Sequence, residues 1–296
     1  MLMIEKSIVI AALARDCNES LIRNIPRIES LRSRFVRSQV VVIENDSKDD
    51  TKETLKQWAI RSPGVEAVIN DFGTVTIPQV STENKNPATS LHRIEKMACY
   101  RNMYMDYVRS LDWEPDYLIV VDVDVQDFSV EGIVTSIEKA PSDWGGLFAN
   151  GNRYYCSKFP YFFDLYAYVP EGCENKPDQK QDELFFESKR ITRRIRNQEY
   201  VSCLSAFGGV GVYKWGVIKD HNYRAQPNHR SRLFEAMCEH VPFNLTVVAQ
   251  GYGCYVCRTM VVNYGSRSFK HLIISLLPNF VFRWGYRLKK GKRFAD

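Results

Sequence analysis

Apolar and polar positions along the first half of the chain form blocks that predict strands and helices in alternation. Two continuous apolar runs, SIVIAALA at 7–14 and SQVVVIEND at 38–46, are typical of strands buried on both faces. The first is followed by helical spacing in ARDCNESLIRNIPRIESL, and the second by SKDDTKETLKQWA, where Ser47 or Asp49 can cap a helix. The segment GVEAVIN predicts a third strand.

A loop rich in Thr, Asn, Pro and Ser at 73–90 separates this region from a long helix and a very apolar strand. The helix is predicted from RIEKMACYRNMYMDYVRSL, whose apolar residues fall on one side. PDYLIVVDVDV then predicts a central, buried strand. Because strands and helices alternate over residues 1–125, we predict an α/β fold with a mostly parallel sheet flanked by helices.

The second half of the chain is less regular. It mixes aromatic-rich strands and loops, such as GGLFANGNRYY and CLSAFGGVGVYK, with a charged helix near residues 182–196. A chain of 296 residues is close to the upper limit for one hydrophobic core. We therefore predict one large domain over residues 1–268 and a C-terminal appendage at 269–296.

The net charge of +5 is concentrated in that appendage, where seven Lys and Arg residues face one acid, Asp296. The rest of the chain is close to neutral, which argues against a broad nucleic-acid-binding face. Residues 269–296 also carry Leu, Ile, Phe and Trp, and Pro278 interrupts any straight helix. This basic amphipathic segment predicts contact with an anionic membrane surface; a helix packed on the core with a solvated basic end is the alternative.

The termini and cysteines indicate the compartment. Glu5 and Lys6 interrupt the apolar N-terminal run, which does not resemble a signal peptide, and no run is long enough to span a membrane. Eight irregularly spaced cysteines do not form a disulfide scaffold, and we interpret Cys254 and Cys257 as free thiols. We expect a cytoplasmic protein, peripheral on the inner face of a membrane if the basic segment binds lipid.

Asp122 and Asp124 stand at the end of the most apolar predicted strand. Ligands of open α/β sheets bind at the carboxyl ends of the strands, and two carboxylates this close together require a cation. Mn²⁺ or Mg²⁺ fits, with phosphate oxygens and water completing the coordination. Two other interpretations fit the same residues. In one the acids belong to a solvated loop without a ligand, and in the other they belong to a haloacid-dehalogenase-type phosphatase in which Asp122 is the nucleophile. In such phosphatases the motif normally begins the domain.

Three motifs in order, ENDSKDDT at 44–51, RIEKMACYRN at 93–102 and the pair Asp122/Asp124, resemble those of the GT-A glycosyltransferases. Within that class they are similar to the group related to fungal capsule-associated α-1,3-mannosyltransferases. The resemblance covers roughly residues 7–155 and implies a Rossmann-like GT-A fold. We accordingly predict a GT-A domain over 1–268, with a nucleotide-binding half at 1–125 and an irregular acceptor-binding half at 126–268. It also implies a UDP- or GDP-sugar donor, Mn²⁺ or Mg²⁺, and a glycan or lipid-linked glycan acceptor in polysaccharide or glycolipid biosynthesis.

The resemblance assigns roles on the donor side. Residues at the ends of the first two strands are expected to contact the base and ribose: Ala14, Arg15, Asp16, Glu44 and Asp46. Arg93 and Arg101 are expected to face the nucleotide or brace the metal loop, although Arg101 has the alternative of a structural carboxylate partner such as Asp122. Asp122, Val123, Gly208 and Gly209 are expected beside the nucleotide-sugar, and His271 beside the metal. A bulge without a ligand is the alternative at Gly208-Gly209.

On the acceptor side, RLFEAMCEHVPFN predicts a short helix that carries Glu235 and Glu239 one turn apart. Glu239 is the preferred general base for the acceptor hydroxyl and Glu235 the second candidate; a solvated acid on a surface helix is the alternative. Asp164 and Asp182 are further candidates for acids that bind the acceptor, although their spacing gives this role no support. The sequence leaves the stereochemistry open, and a non-catalytic membrane-surface scaffold is a further alternative.

Overall fold

The structure is a computed structural model, which describes residues 3–74, 86–153, 160–172, 181–229, 231 and 233–265, without the side chains of 181–187. The strands are β1 (Ile4–Ala14), β2 (Phe35–Asn45), β3 (Val65–Asn70), β4 (Tyr117–Asp122), β5 (Asp127–Phe128), β6 (Trp144–Arg153), β7 (Tyr161–Phe162), β8 (Val169–Pro170), β9 (Tyr200–Ser205), β10 (Val210–Lys214) and β11 (Gly253–Asn263). The helices are α1 (Asn18–Arg32), α2 (Thr51–Arg61), α3 (Leu91–Arg109), α4 (Val130–Glu138), α5 (Gln181–Asn197), α6 (Trp215–Ile218) and α7 (His240–Ala249), with a short 3-10 turn at Pro87–Thr89.

One sheet runs through the described part of the chain in the order β3-β2-β1-β4-β10-β6-β11-β9-β8. Its first four strands are parallel, as expected for strands joined by helical crossovers. Strand β10 then inserts antiparallel between β4 and β6, and β11 lies parallel to β6. The predicted α/β sheet flanked by helices is confirmed, with the antiparallel strands all contributed by the second half.

Two hydrophobic clusters cover the two faces of this sheet. Val9 and Ala11 of β1 belong to one cluster, and Ile8 and Ile10 to the other, so β1 is buried on both faces as its continuous apolar run predicts. Helices α3 and α7 pack in the first cluster, and α1, α2 and α4 in the second. The sheet is therefore a central layer whose strand ends remain available for a site.

The carboxyl ends of β1, β2 and β4 lie at one edge of the sheet because these strands are parallel neighbours. They end at Ala14, Asn45 and Asp122. The turn before β10 reaches the same edge, where the Asp122 N–H donates to the Gly209 carbonyl at 2.8 Å. Segments distant in sequence thus meet where the sequence predicts a ligand.

Two further sequence predictions concern membranes and thiols. Within the described ranges, no helix combines the length and the apolar composition that crossing a bilayer requires. The basic segment 269–296, including His271, lies outside the described residues, so its predicted roles stay predictions. Cys254 and Cys257 are free, buried thiols on β11, as interpreted from the sequence.

Candidate functional site

The acid pair sits on a clamped loop at the end of β4. Asp122 is half-buried and Asp124 is exposed, while Val123 between them is buried. The side-chain amide of Asn24 on α1 donates to the carbonyls of Val123 and Val125, at 3.1 and 2.8 Å. Asn24 itself has no solvent exposure. The loop that carries both carboxylates is therefore tied to the core through its backbone.

Negative charge accumulates around Asp122. Enclosure by the surrounding protein, followed by the charge of Asp124, raises the pKa of the Asp122 carboxyl well above its usual range. Asp164 and Glu239 act in the same direction, and Arg101 opposes them. An excess of carboxylates over cations at one point is the environment that a bound cation stabilises.

The donor set fits a hard divalent ion. Asp122 and Asp124 offer carboxylate oxygens, which Mg²⁺ and Mn²⁺ prefer. Within the residues that the structure describes, no group of three or more His, Cys, Asp or Glu side chains is placed to hold a metal. Two protein carboxylates on a half-open loop would leave the remaining coordination of such an ion to other ligands, and the predicted phosphate oxygens and water stay a prediction.

Replacing Asn24 with Ala is expected to loosen the acid loop. The Val123 and Val125 carbonyls lose their shared donor, which we expect to cost about 1–3 kcal/mol of folding free energy. Groups that orient metal ligands typically change metal affinity by about 10–100-fold, so Mn²⁺ binding should weaken similarly. Chemical denaturation and Mn²⁺ titration measure the two effects. Gln57→Ala, on the exposed side of α2, serves as control; equal behaviour of both variants would contradict the clamp.

Arg101 on α3 and Glu239 form a buried ion pair beside the acid loop. Their Nε and Oε1 atoms are 2.9 Å apart, and each side chain is 5% exposed. The guanidinium carbon lies 5.4 and 5.7 Å from the ring centres of Phe207 and Tyr223. The carboxylate that pairs with Arg101 is thus Glu239 rather than Asp122, although its positive charge lowers the pKa of Asp122.

The prediction that Glu235 and Glu239 share one helix is wrong. Helix α7 begins at His240, with Glu239 as its N-cap. A proline ring clashes with the carbonyl four residues earlier, so Pro242 suits the first turn of a helix and disfavours a helix that runs through from residue 235. Ala236 instead forms an isolated antiparallel bridge with Pro227, and the Met237 N–H donates to the Gln226 carbonyl at 2.8 Å. Only Glu239 faces the charged cluster around Asp122.

Glu235 and Arg93 both contact the start of α3. The Glu235 carboxylate accepts a hydrogen bond from the Leu91 N–H at 3.1 Å. The Arg93 guanidinium donates to the Ala88 carbonyl at 3.1 Å. Burial raises the pKa of Asp124, and the charges of Arg101 and Arg93 oppose that rise. Negative charge near a helix N-terminus is favourable, so Glu235 stabilises the start of the helix that carries Arg101.

The residues predicted to contact the base lie at the ends of β1 and β2. Ala14 is the buried last residue of β1. Asp16 follows it with a left-handed backbone, φ 46°, and its carboxylate accepts from the Lys48 N–H at 2.7 Å. Arg15 contacts the Thr74 carbonyl at 3.5 Å. These contacts join the loop after β1 to the loops after β2 and β3.

Glu44 and Asp46 at the end of β2 differ in what they contact. Glu44 has no solvent exposure; its Oε1 accepts from the Ser47 N–H at 2.7 Å, and its Oε2 has no hydrogen-bond partner. Asp46, with φ 54°, accepts from the Gly73 N–H at 2.7 Å and from the Thr74 hydroxyl at 3.0 Å. Glu44 therefore keeps one buried acceptor atom, while Asp46 organises the loop after β3.

Gly208 and Gly209 form a tight left-handed turn before β10, with φ values of 65° and 91°. A Cβ on Gly208 would lie 2.2 Å from the Ala149 carbonyl oxygen, and one on Gly209 2.9 Å from the Tyr264 hydroxyl. Both positions thus favour glycine without any ligand, through their positive φ and through contacts with the backbone at Gly208 and with side chains at Gly209. A contact with donor sugar stays a prediction.

Replacing Gly208 with Ala is expected to destabilise the fold by about 3 kcal/mol, since left-handed strain of about 1–2 kcal/mol adds to overpacking. Gly216 on α6 has open space around its Cα and an ordinary backbone. Gly216→Ala should therefore be neutral or slightly stabilising. Denaturant titration of both variants measures the difference. Equal stabilities would show that the turn relaxes freely.

Tyr264 and His240 lie near the acid loop, and the sequence analysis assigned neither of them a functional role. Tyr264 follows β11. Burial is the main cause that raises the pKa of its hydroxyl, and the charges of Asp122, Asp164 and Asp124 raise it further. His240 is 1% exposed and stacks on Phe207 at 3.9 Å. Burial and Arg101 lower its pKa well below the usual range. Neither position follows from local pattern, because both depend on contacts between distant segments.

Comparison with known proteins identifies the type of fold but not a family. No family model and no curated protein matches the chain. Among solved structures, a mannosyltransferase from Pyrobaculum calidifontis in complex with GDP-Man and Mn²⁺ matches over 91% of this chain and 60% of its own, with 9% identity and a TM-score of 0.51. GalNAc-T7 with UDP, GalNAc and Mn²⁺ matches over 91% and 47% with 11% identity, but its TM-score of 0.46 adds nothing to the assignment.

The predicted GT-A-type fold is thereby confirmed, and the likeness at 9% identity extends to the fold alone. The chain spans 60% of the length of that mannosyltransferase. The topology also bears on the phosphatase alternative. In such phosphatases the acidic motif begins the domain, whereas here three parallel strands precede β4 in the chain.

Proposed function

We propose that the chain is a metal-dependent glycosyltransferase that moves a sugar from a nucleotide-sugar to a glycan or lipid-linked glycan. The observation that carries this proposal is the pair Asp122/Asp124 at the carboxyl end of β4, on a clamped, half-open loop in a sheet of the GT-A type. Paired carboxylates at this edge suit a divalent ion and a diphosphate. The acceptor would belong to polysaccharide or glycolipid assembly.

On the donor side, Asp122 and Asp124 would hold Mn²⁺ or Mg²⁺, whose charge would stabilise the diphosphate as the sugar leaves. Arg93 and Arg101 would face the nucleotide or brace the metal loop, since a guanidinium delivers two parallel hydrogen bonds to phosphate or carboxylate. The buried, unpartnered Oε2 of Glu44 supports a role in accepting a hydrogen bond from an N–H or O–H group of the nucleotide-sugar. Ala14, Arg15, Asp16 and Asp46 would line the same base and ribose region.

On the acceptor side, Glu239 is the proposed general base. The carboxylate would take the proton of the acceptor hydroxyl as its oxygen attacks the anomeric carbon and the nucleoside diphosphate leaves. Its position at the start of α7 and its 2.9 Å ion pair with Arg101 support a fixed orientation. Glu235 becomes the weaker candidate because its carboxylate already contacts the start of α3.

The donor and the location are finer proposals. The donor would be a UDP- or GDP-sugar, and sugars carried by both nucleotides are the donors to test. Gly208 and Gly209 would lie beside the donor sugar and His271 would complete the metal site. The basic segment 269–296 would bring the enzyme to an anionic membrane on the cytoplasmic side. Unchanged liposome binding after deletion of residues 283–296 would remove the membrane proposal.

A thermal-shift screen of the full chain tests the function. UDP, GDP and ADP are added with and without Mn²⁺, and a ligand at about 100 times its Kd should add about 2.7 kcal/mol of stability. We expect UDP or GDP to raise the Tm by several degrees only when Mn²⁺ is present. A chain that no nucleoside diphosphate stabilises with Mn²⁺ would contradict the proposal, and a phospho-aspartate at Asp122 would favour a phosphatase.

A further inference from the structure

We propose that Asp164 is a positioning residue, whose carboxylate fixes the Gly208-Gly209 turn and, through that turn, the backbone of Asp122. The inference rests on the sugar transfer proposed above, for which Asp122 and the turn are placed beside the donor. Asp164 lies in the loop between β7 and β8, where sequence spacing indicates no role.

Two hydrogen bonds connect Asp164 to the acid loop. Its Oδ2 accepts from the Gly208 N–H at 3.0 Å. One residue further along, the Gly209 carbonyl accepts from the Asp122 N–H at 2.8 Å. The turn is therefore held on one side by a carboxylate and holds on its other side the backbone of a proposed metal ligand.

The Gly208-Gly209 turn is closely packed and has little room to change its backbone conformation. The Ala149 carbonyl oxygen would lie 2.2 Å from a Cβ on Gly208, and the Tyr264 hydroxyl 2.9 Å from one on Gly209. Both glycines are buried. In a region packed this closely, we expect a shift at Gly208 to be passed on to its neighbours.

Asp164 itself starts from a fixed place. The preceding residue, Phe163, donates its N–H to the Gly151 carbonyl of β6 at 2.9 Å, and its ring centre lies 4.7 Å from that of Tyr264. The second carboxylate oxygen of Asp164 accepts from the Ala167 N–H at 3.4 Å. The Asp164 carboxylate is therefore held in place by contacts other than its hydrogen bond to the turn, as a positioning residue requires.

The competing role for Asp164 is direct contact with an acceptor hydroxyl through its negative charge. Asn at this position keeps an oxygen that accepts the Gly208 N–H and removes the charge, whereas Ala removes both. Asp164→Asn and Asp164→Ala therefore separate the two roles. Asp116→Ala is the matched control, because Asp116 also accepts a backbone N–H, that of Ser7 at 2.8 Å, at the opposite end of β4.

The experiment measures kcat and donor KM with GDP- or UDP-sugar and Mn²⁺, together with NMR hydrogen exchange of the Gly208 and Asp122 amides. We expect Asp164→Ala to lower kcat by about 100-fold, as a misplacement of about 1 Å does, with little change in donor KM. Asp164→Asn should stay within about fivefold of the wild type, the order expected for one weakened hydrogen bond. Exchange at both amides should accelerate in Asp164→Ala, and the control should keep its kcat.

Equal losses of kcat in Asp164→Asn and Asp164→Ala would assign the function to the charge and overturn the proposal. Unchanged exchange at Gly208 and Asp122 in Asp164→Ala would overturn it as well. The exchange measurement needs no activity. If the wild-type chain transfers no sugar but the two amides lose protection in Asp164→Ala, the positioning contact stands and the proposed function fails separately.

Discussion

Asp122→Asn is expected to abolish metal-dependent nucleotide binding and to lower sugar transfer by at least about 10³-fold. The carboxylate is the more enclosed member of the proposed metal pair, and a bound ion supplies several kcal/mol of stabilisation to the developing charge. Asn keeps the shape of the side chain and the Asp122 N–H bond to Gly209. Transfer rates at saturating Mn²⁺, and the Mn²⁺-dependent Tm shift with GDP or UDP, measure the two effects.

The stability of the same variant provides its control. Because the pKa of Asp122 is raised in the folded state, the folded chain binds more protons than the unfolded chain above the ordinary Asp pKa. Metal-free stability should therefore fall as pH rises from the ordinary value through the raised one, and Asp122→Asn should lose this dependence. An Asn variant with equal or higher metal-free Tm shows that lost activity is not lost folding. Retained Mn²⁺-dependent binding would exclude Asp122 as a ligand.

Glu239→Gln is expected to lower kcat by about 10²–10⁴-fold while donor binding remains. The amide cannot take a proton from the acceptor hydroxyl, but its oxygen still accepts from the Arg101 guanidinium 2.9 Å away. Steady-state kinetics give kcat, and titration with the nucleoside diphosphate and Mn²⁺ gives donor affinity.

Folding must be measured alongside, because a buried Arg101 without a countercharge destabilises a protein by about 3 kcal/mol or more. Circular dichroism at the assay temperature shows whether the variant remains folded. Near-normal turnover of folded Glu239→Gln, with the metal site intact, would exclude Glu239 as the base. It would leave Glu239 as the structural partner of Arg101.

The parallel half of the sheet is predictable from the sequence for a physical reason. Strands β1, β2 and β4 are buried on both faces, so they read as continuous apolar runs that local pattern identifies. The carboxyl ends of parallel neighbours share an edge, and this places Asp122 beside the ends of β1 and β2 without further information.

The second half is less predictable because its contacts are non-local. Nothing in the local pattern indicates that β10 inserts antiparallel between β4 and β6. The misassigned helix at Glu235 had a signal in Pro242, which limits where α7 can begin. The role of Asn24 also had a signal in the sequence. Asn24 lies three residues after Leu21 and four before Ile28, on the buried side of α1, where a polar residue needs hydrogen-bond partners.

Mn²⁺ binding followed by electron paramagnetic resonance tests the central claim most directly, because free Mn²⁺ gives a signal that the bound ion does not share. The wild-type chain and an Asp122→Asn/Asp124→Asn variant are titrated with Mn²⁺, each with and without GDP or UDP. We predict about one Mn²⁺ per wild-type chain, bound more tightly with the diphosphate, and loss of that site in the double variant. Equal binding by both proteins, or no binding by the wild type with either diphosphate, would contradict the assignment of Asp122 and Asp124.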